Sequence, residues 1–160
     1  MQFEEIKSSI EGSFPDAIVG EVVDSTPPTL KIRPNQIVSV CEHLHSNDKT
    51  YFDSLSCLTG IDNGSEKNTL EVVYNLYSIP YDLDLSLSVE LERDNPQVDS
   101  VSSVWRGANW HEREAYDLLG IKFKNHPDLR RILLPEDWEG YPLRKDYEEP
   151  ETYHKVKVKY

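Results

Sequence analysis

Asp82-Leu83-Asp84-Leu85-Ser86-Leu87-Ser88-Val89-Glu90-Leu91 alternates polar and apolar residues without a break. A period of two sets the leucines and Val89 on one side of an extended strand, with Asp82, Asp84, Ser86, Ser88 and Glu90 on the other. One buried face and one wet face favours an antiparallel arrangement at this point. Leu70 to Tyr77, rich in β-branched and aromatic residues, reads as another strand.

Working outward, the pattern changes to a helical one. Phe3, Ile6, Ile10 and Phe14 stand at near-helical spacing, with Gly12 and Pro15 ending the run. Ile18 to Val23 and Leu30 to Arg33 are short strand candidates on either side of a turn at Thr26-Pro27-Pro28. Ile37, Val40, Cys41 and Leu44 fall at i, i+3, i+4 and i+7, with Pro34 just upstream, where a first helical turn tolerates it. Tyr51 to Ile61 is mixed in pattern and closes on Asp62-Asn63-Gly64, a turn signal. Val98, Val101, Val104 and Trp105 predict a helix after Pro96, and a second helix runs from Trp110 to Leu119, stopped by Gly120.

Beyond Phe123 the regular signals fade, and Pro127, Pro135, Pro142 and Pro150 forbid a long helix. The predicted order is α-β-β-α-β-β-β-α-α followed by an arm. That is an α+β class, with helices on one face of a mostly antiparallel or mixed sheet. Residues 1–124 form the α+β domain and residues 125–160 an extended C-terminal docking arm of the same domain. From about residue 136 the arm is expected to be mobile until a partner orders it, because its apolar residues are too few to offset the entropy of ordering.

Length and composition bound the function. A chain of 160 residues supports one domain with a core. Its formal net charge of −12 argues against nucleic acid, which calls for clustered Lys and Arg, and against direct docking on anionic lipid. Cys41 and Cys57 are the only cysteines and form no Cys-x-x-Cys pair, so no Fe–S or zinc site built from this chain is expected. They read as free thiols. The first residues lack the basic flank and apolar run of a secretory signal, and nothing approaches the roughly 18 apolar residues of a membrane helix. The seven glycines are scattered and make no phosphate loop. The expectation is a soluble intracellular protein, or one peripheral to a membrane through a partner.

Trp110-His111-Glu112-Arg113-Glu114, with His126 and Asp128 beyond, admits a metal reading. His111 and Glu114 are i, i+3 neighbours on a helix, and His126 could supply a third ligand. The spacing is not His-Glu-x-x-His, and a charged helix face with a capping histidine accounts for the same residues. Arg113 and Asp117 stand at i, i+4 and can pair on the helix surface. Farther on, Arg130, Arg131, Arg144 and Lys145 alternate with Glu136, Asp137, Glu139, Asp146, Glu148 and Glu149. The plain reading is a solvated mixed surface. Interleaving with Trp138, Tyr141 and Tyr147 favours a protein interface, since Arg, Trp and Tyr dominate such surfaces.

The run Glu112-Arg113-Glu114, two residues, Asp117-Leu118-Leu119, six residues, His126, three residues, Arg130 resembles a family signature. It is that of the thirty-kilodalton (C-type) subunit of the proton-translocating NADH–quinone oxidoreductase, respiratory complex I. Glu136-Asp137-Trp138-Glu139-Gly140-Tyr141-Pro142-Leu143-Arg144-Lys145-Asp146-Tyr147 is similar to the same family's C-terminal block, while residues 1–97 match only in pattern. The resemblance implies a hydrophilic, non-catalytic scaffold of the peripheral arm on the cytoplasmic side of the bacterial inner membrane. Because the chain stops soon after that block, no fusion to the forty-nine-kilodalton (D-type) subunit and no long extension are expected. The scaffold would dock that quinone-site protein and other peripheral-arm subunits, supporting electron transfer from NADH to quinone coupled to proton translocation. FMN and Fe–S clusters are expected in partner subunits and no cofactor in this chain. Glu112, Arg113, Glu114, Asp117, His126, Arg130, Arg131, Trp138, Tyr141, Arg144, Asp146 and Tyr147 are the expected interface residues. Alternatives are the equivalent subunit of a membrane-bound hydrogenase or of a complex using another electron donor, and a stand-alone metal-dependent enzyme built on His111, Glu114 and His126. The ending Lys155 to Tyr160 carries no assignable pattern.

Overall fold

A computed structural model describes residues 3–158. In chain order these form α1 (Phe3–Ser13), β1 (Ile18–Val22), β2 (Thr29–Ile32), a 3-10 turn at Pro34–Gln36 and α2 (Ile37–Ser46). Then come β3 (Ser54–Asp62), β4 (Thr69–Ser78), β5 (Leu83–Glu92), β6 (Gln97–Asp99), α3 (Ala108–Leu119) and β7 (Lys122–Lys124). A small hairpin, β8 (Thr152–Tyr153) and β9 (Val156–Lys157), lies in the tail.

The main sheet has the order β1-β2-β5-β4-β3. All its pairings are antiparallel except β2 with β5, so the sheet is mixed and the class is α+β, as the alternating strand implied. Leu70, Val72, Tyr74 and Leu76 of β4 and Leu85, Leu87, Val89 and Leu91 of β5 bury their side chains together with Ile6 and Ile10 of α1 and Ile37, Val40, Cys41 and Leu44 of α2. Each of the Val, Leu and Ile side chains among them contributes about 1.5–3 kcal/mol by leaving water. Gly60 of β3 lets α3 press close: a Cβ there would stand 2.5 Å from Leu119 Cδ1 and 3.1 Å from Ile121 Cδ1.

Two expectations need correction. Ser86 and Ser88 are buried although they sit on the polar side of β5. β5 is the central strand, and their register neighbours Thr29 and Lys31 on β2 and Asn75 and Val73 on β4 stand taller around them. Residues 98–105 form no helix. Gln97–Asp99 is a strand paired in parallel with β7, and Val101 to Trp105 is a turn. The spacing of Val98, Val101 and Trp105 serves burial in a strand-and-turn segment, where Ser100 Oγ also receives the Ser102 N–H and so competes with helical bonding.

No helix among the described residues is long and apolar enough to cross a membrane. Both cysteines are free, Cys41 buried and Cys57 half-buried.

Candidate functional site

α3 is the platform on which the arm lies. Asp117 sits in its last turn, where a negative charge opposes the helix dipole, and it is fully buried. Its Oδ2 accepts the successive N–H groups of Ile132 (3.0 Å), Leu133 (2.7 Å) and Leu134 (2.9 Å), and its Oδ1 accepts Arg131 Nη1 at 2.7 Å. Burial alone would raise this carboxyl. The Leu134 N–H, Arg131 and the other two N–H groups together outweigh it and hold the carboxyl below its ordinary range. Arg113 does not pair with Asp117, as the i, i+4 spacing suggested. Its guanidinium donates to the carbonyls of Arg130 (3.1 Å) and Arg131 (3.2 Å) and lies over Trp110.

The end of α3 is closed by the arm as well. A helix leaves its last four carbonyls without intrahelical partners. Here Gly120 N–H takes Tyr116 O, Arg131 Nη1 takes Asp117 O, Leu143 N–H takes Leu118 O and Arg144 Nε takes Leu119 O at 2.7 Å. Two arginines at a helix C-terminus also answer the macrodipole. Tyr141 lies between them, its ring centroid 5.4 Å from the Arg131 guanidinium carbon and 5.0 Å from that of Arg144. The ring rests on Gly120, whose φ of +76° suits glycine and where a Cβ would stand 2.6 Å from Tyr141.

A second anchor ties residues 145–146 to the sheet. Asp62, at the end of β3, pairs with Arg93 and accepts the Lys145 N–H at 2.7 Å, while Arg93 Nη2 reaches Asp146 at 2.6 Å. Arg93, then burial working against it, then the Lys145 and Gly64 N–H groups set the Asp62 carboxyl, which stays well below the usual range. Nothing in the sequence pointed to Asp62 or Arg93, because the three segments are far apart in the chain.

The distal arm is held by its own side chains. Arg131 Nη2 donates to the carbonyls of Trp138 and Gly140, Trp138 Nε1 donates to Tyr147 Oη at 3.1 Å, and Asp137 accepts Tyr153 Oη and contacts His154 Nε2. Lys155 to Lys157, part of the ending without an assignable pattern, belongs to a hairpin whose loop residues His154 and Lys155 have positive φ. Lys159 and Tyr160 lie outside the described residues.

Glu112 faces the opposite way, into the core. It is fully buried, accepts Ser100 Oγ at 2.6 Å and Val101 N–H at 2.8 Å, and has His126 Nε2 at 3.8 Å. Burial pushes its carboxyl up to about 7 against those two bonds. His126 Nδ1 lies 3.0 Å from Asp128 N as an acceptor, leaving Nε2 to face the Asn109 carbonyl. The cluster of His111, Glu114 and His126 is not assembled: His111 and Glu114 line a small cleft against Leu58 and Gly60, while His126 turns to Asn109 and Glu112. Among the described residues no group of three or more His, Cys, Asp or Glu side chains is gathered to hold a metal. Glu112, Arg113 and Asp117 are thus inside the fold, Arg131, Tyr141, Arg144, Trp138 and Tyr147 are partly covered, and Glu114, Arg130 and Asp146 are exposed.

The family model described as respiratory-chain NADH dehydrogenase, 30 Kd subunit, matches residues 30–153, from β2 through α3 and the arm to β8. The chain belongs to this family. The C-type subunit of NADH-quinone oxidoreductase from Chlorobium phaeobacteroides is 42% identical to this chain over 94% of it and 92% of the relative. Its counterpart from Chloroherpeton thalassium is 46% identical over 73% of this chain but only 48% of its own, so family members differ in length. Among solved structures, the trypsin-resistant fragment (1–134) of Nqo5 is 25% identical, with a TM-score of 0.56, covering 81% of this chain and all of that fragment. A chain of the membrane-bound sulfane sulfur reductase, an archaeal respiratory membrane complex, gives a TM-score of 0.74 over 91% of this chain and 85% of its own, at 20% identity. That second likeness concerns the fold.

Proposed function

We propose that this chain is a non-catalytic structural subunit of an NADH–quinone oxidoreductase. In this reading it lies on the cytoplasmic side of the bacterial inner membrane and docks the forty-nine-kilodalton quinone-site subunit through the outer side of its arm. FMN and Fe–S clusters belong to other subunits, and the chain contributes to electron transfer from NADH to quinone, coupled to proton translocation, by holding its neighbours in place. The observation that carries this is the clasp. Asp117, Arg131, Arg144 and Asp62 fix the root of the arm to the family's core, while Trp138, Tyr147 and Arg130 are left to meet another protein. A rigid platform with aromatic and arginine anchors is what a lasting interface uses.

The relatives at about 40% identity bear the NADH–quinone oxidoreductase name, which favours NADH over another electron donor. Affinity purification of the tagged chain from its native membranes tests the reading. Co-purification of flavin- and cluster-bearing subunits with NADH–quinone reductase activity is expected, together with no NADH oxidation by the chain alone. Recovery of hydrogenase subunits instead would transfer the same role to a different complex.

A further inference from the structure

Resting on the docking role above, we infer that the outer side of the arm is a groove for a basic, extended segment of a neighbouring polypeptide, with one apolar side chain of that segment seated beside Trp138. Two cavities of about 240 and 260 Å³ flank Trp138 and share Pro150. Their apolar walls come from Leu134, Pro142, Tyr147 and Val158 on one side and Tyr153 on the other. The rim is acidic: Asp137 and Glu139 border the first cavity and Glu149 the second, and among the described residues no Lys or Arg lines either.

The charge imbalance is built by the fold. Of the arm's described cations, Arg131 and Arg144 are turned inward onto the α3 carbonyls, and the exposed Arg130, Lys145, Lys155 and Lys157 line neither cavity. The exposed Glu136, Glu139, Glu148, Glu149 and Glu151 form no ion pair among the described residues, and Asp137 meets only Tyr153 and the exposed His154. A surface of that sign repels an anionic membrane or nucleic acid. It also repels a second copy presenting the same face. Lys or Arg side chains alternating with an apolar anchor satisfy both halves of the groove, the cations meeting the rim and the indole face and the anchor filling a cavity.

The full chain labelled with 15N at its tryptophan indoles supplies the readout, because the Trp138 Nε1–H bond to Tyr147 lies at the groove. Three probes are titrated: a short peptide alternating lysine and leucine, its glutamate–leucine counterpart, and oligolysine. The lysine–leucine peptide is expected to shift the Trp138 signal, with affinity that falls steeply with salt and at least tenfold in the Glu139→Lys/Glu149→Lys chain, whose melting temperature stays unchanged. Equal binding of the glutamate–leucine peptide, equal binding of oligolysine, or no shift at Trp138 overturns the inference. The same double variant is then purified from native membranes. Full assembly of the variant overturns the groove and leaves the subunit role standing, whereas failure of the unaltered chain to bring down any oxidoreductase removes the subunit role itself.

Discussion

Asp117 and Arg131, fourteen residues apart, meet at 2.7 Å, and the same carboxylate holds the three backbone N–H groups that follow Arg131. Truncating Asp117 therefore takes a fully buried acceptor from a part-buried guanidinium and three backbone donors. Breaking a buried pair from one side costs about 3–5 kcal/mol, and Asp117→Ala should lose that much in urea unfolding. The carboxyl is depressed in the fold, so its stabilisation is present above the ordinary carboxylate pKa of about 4 and disappears as pH falls through the folded value. Acid unfolding of the Ala variant should accordingly be less steep below about pH 4 than that of the parent; identical acid slopes would count against the clasp.

Arg130 and Arg131 are adjacent and should behave oppositely. The Arg130 side chain is 71% exposed and among the described residues bridges only Asp128, an interaction worth about 0–1 kcal/mol. Charge reversal of Arg130 is expected to leave the melting temperature of the free chain almost unmoved and to weaken its assembly. Arg131→Ala should damage both. Equal losses in the two assays for Arg130→Glu would assign that residue to the fold.

Gly120→Ala places a methyl against the Tyr141 ring in a left-handed backbone conformation that costs an L-residue roughly 1–2 kcal/mol on its own. The remaining loss should be relieved when Tyr141 is also truncated, so the double variant is expected to be less destabilised than the sum of the singles. Strict additivity in a double-mutant cycle would show that the ring does not rest there.

Glu112 gives the opposite pH trend to Asp117. Its carboxyl is raised in the fold from 4.5 to about 7, so the stability it allows is full below its ordinary value and drains as pH climbs through about 7. Glu112→Gln keeps an acceptor for the Val101 N–H and cannot ionise. Relative to the variant, the parent should lose about 3 kcal/mol between acidic and slightly alkaline pH, a shift of one pKa unit being about 1.4 kcal/mol. Urea curves at pH 5 and pH 8 that move in parallel for both proteins would rule this out.

Much of the fold is legible in the chain because burial writes itself as local periodicity. The two-residue alternation of β5 and the 3.6-residue spacing of α2 are read directly from Leu83 to Leu91 and from Ile37 to Leu44. Where contacts are long-range, the sequence is silent. Val98, Val101 and Trp105 imitate a helix because burial in a strand and turn uses the same spacing. Asp62, Arg93 and Asp146 converge from three distant segments with no motif to announce them. Asp117 did carry a signal, since an acid near a helix C-terminus works against the dipole and needs a compensating partner. What the spacing could not show is that the partner was Arg131 and not Arg113.

Every group on which the arm fastens (Asp62, Arg93, Arg113, Asp117 and the Leu118 and Leu119 carbonyls) precedes residues 130–146 in the chain. During synthesis the N-terminal part of a protein emerges and folds first. The receiving surface can therefore be complete while the arm is still inside the ribosome. The arm then meets a template whose acceptors and donors all come before it in the chain.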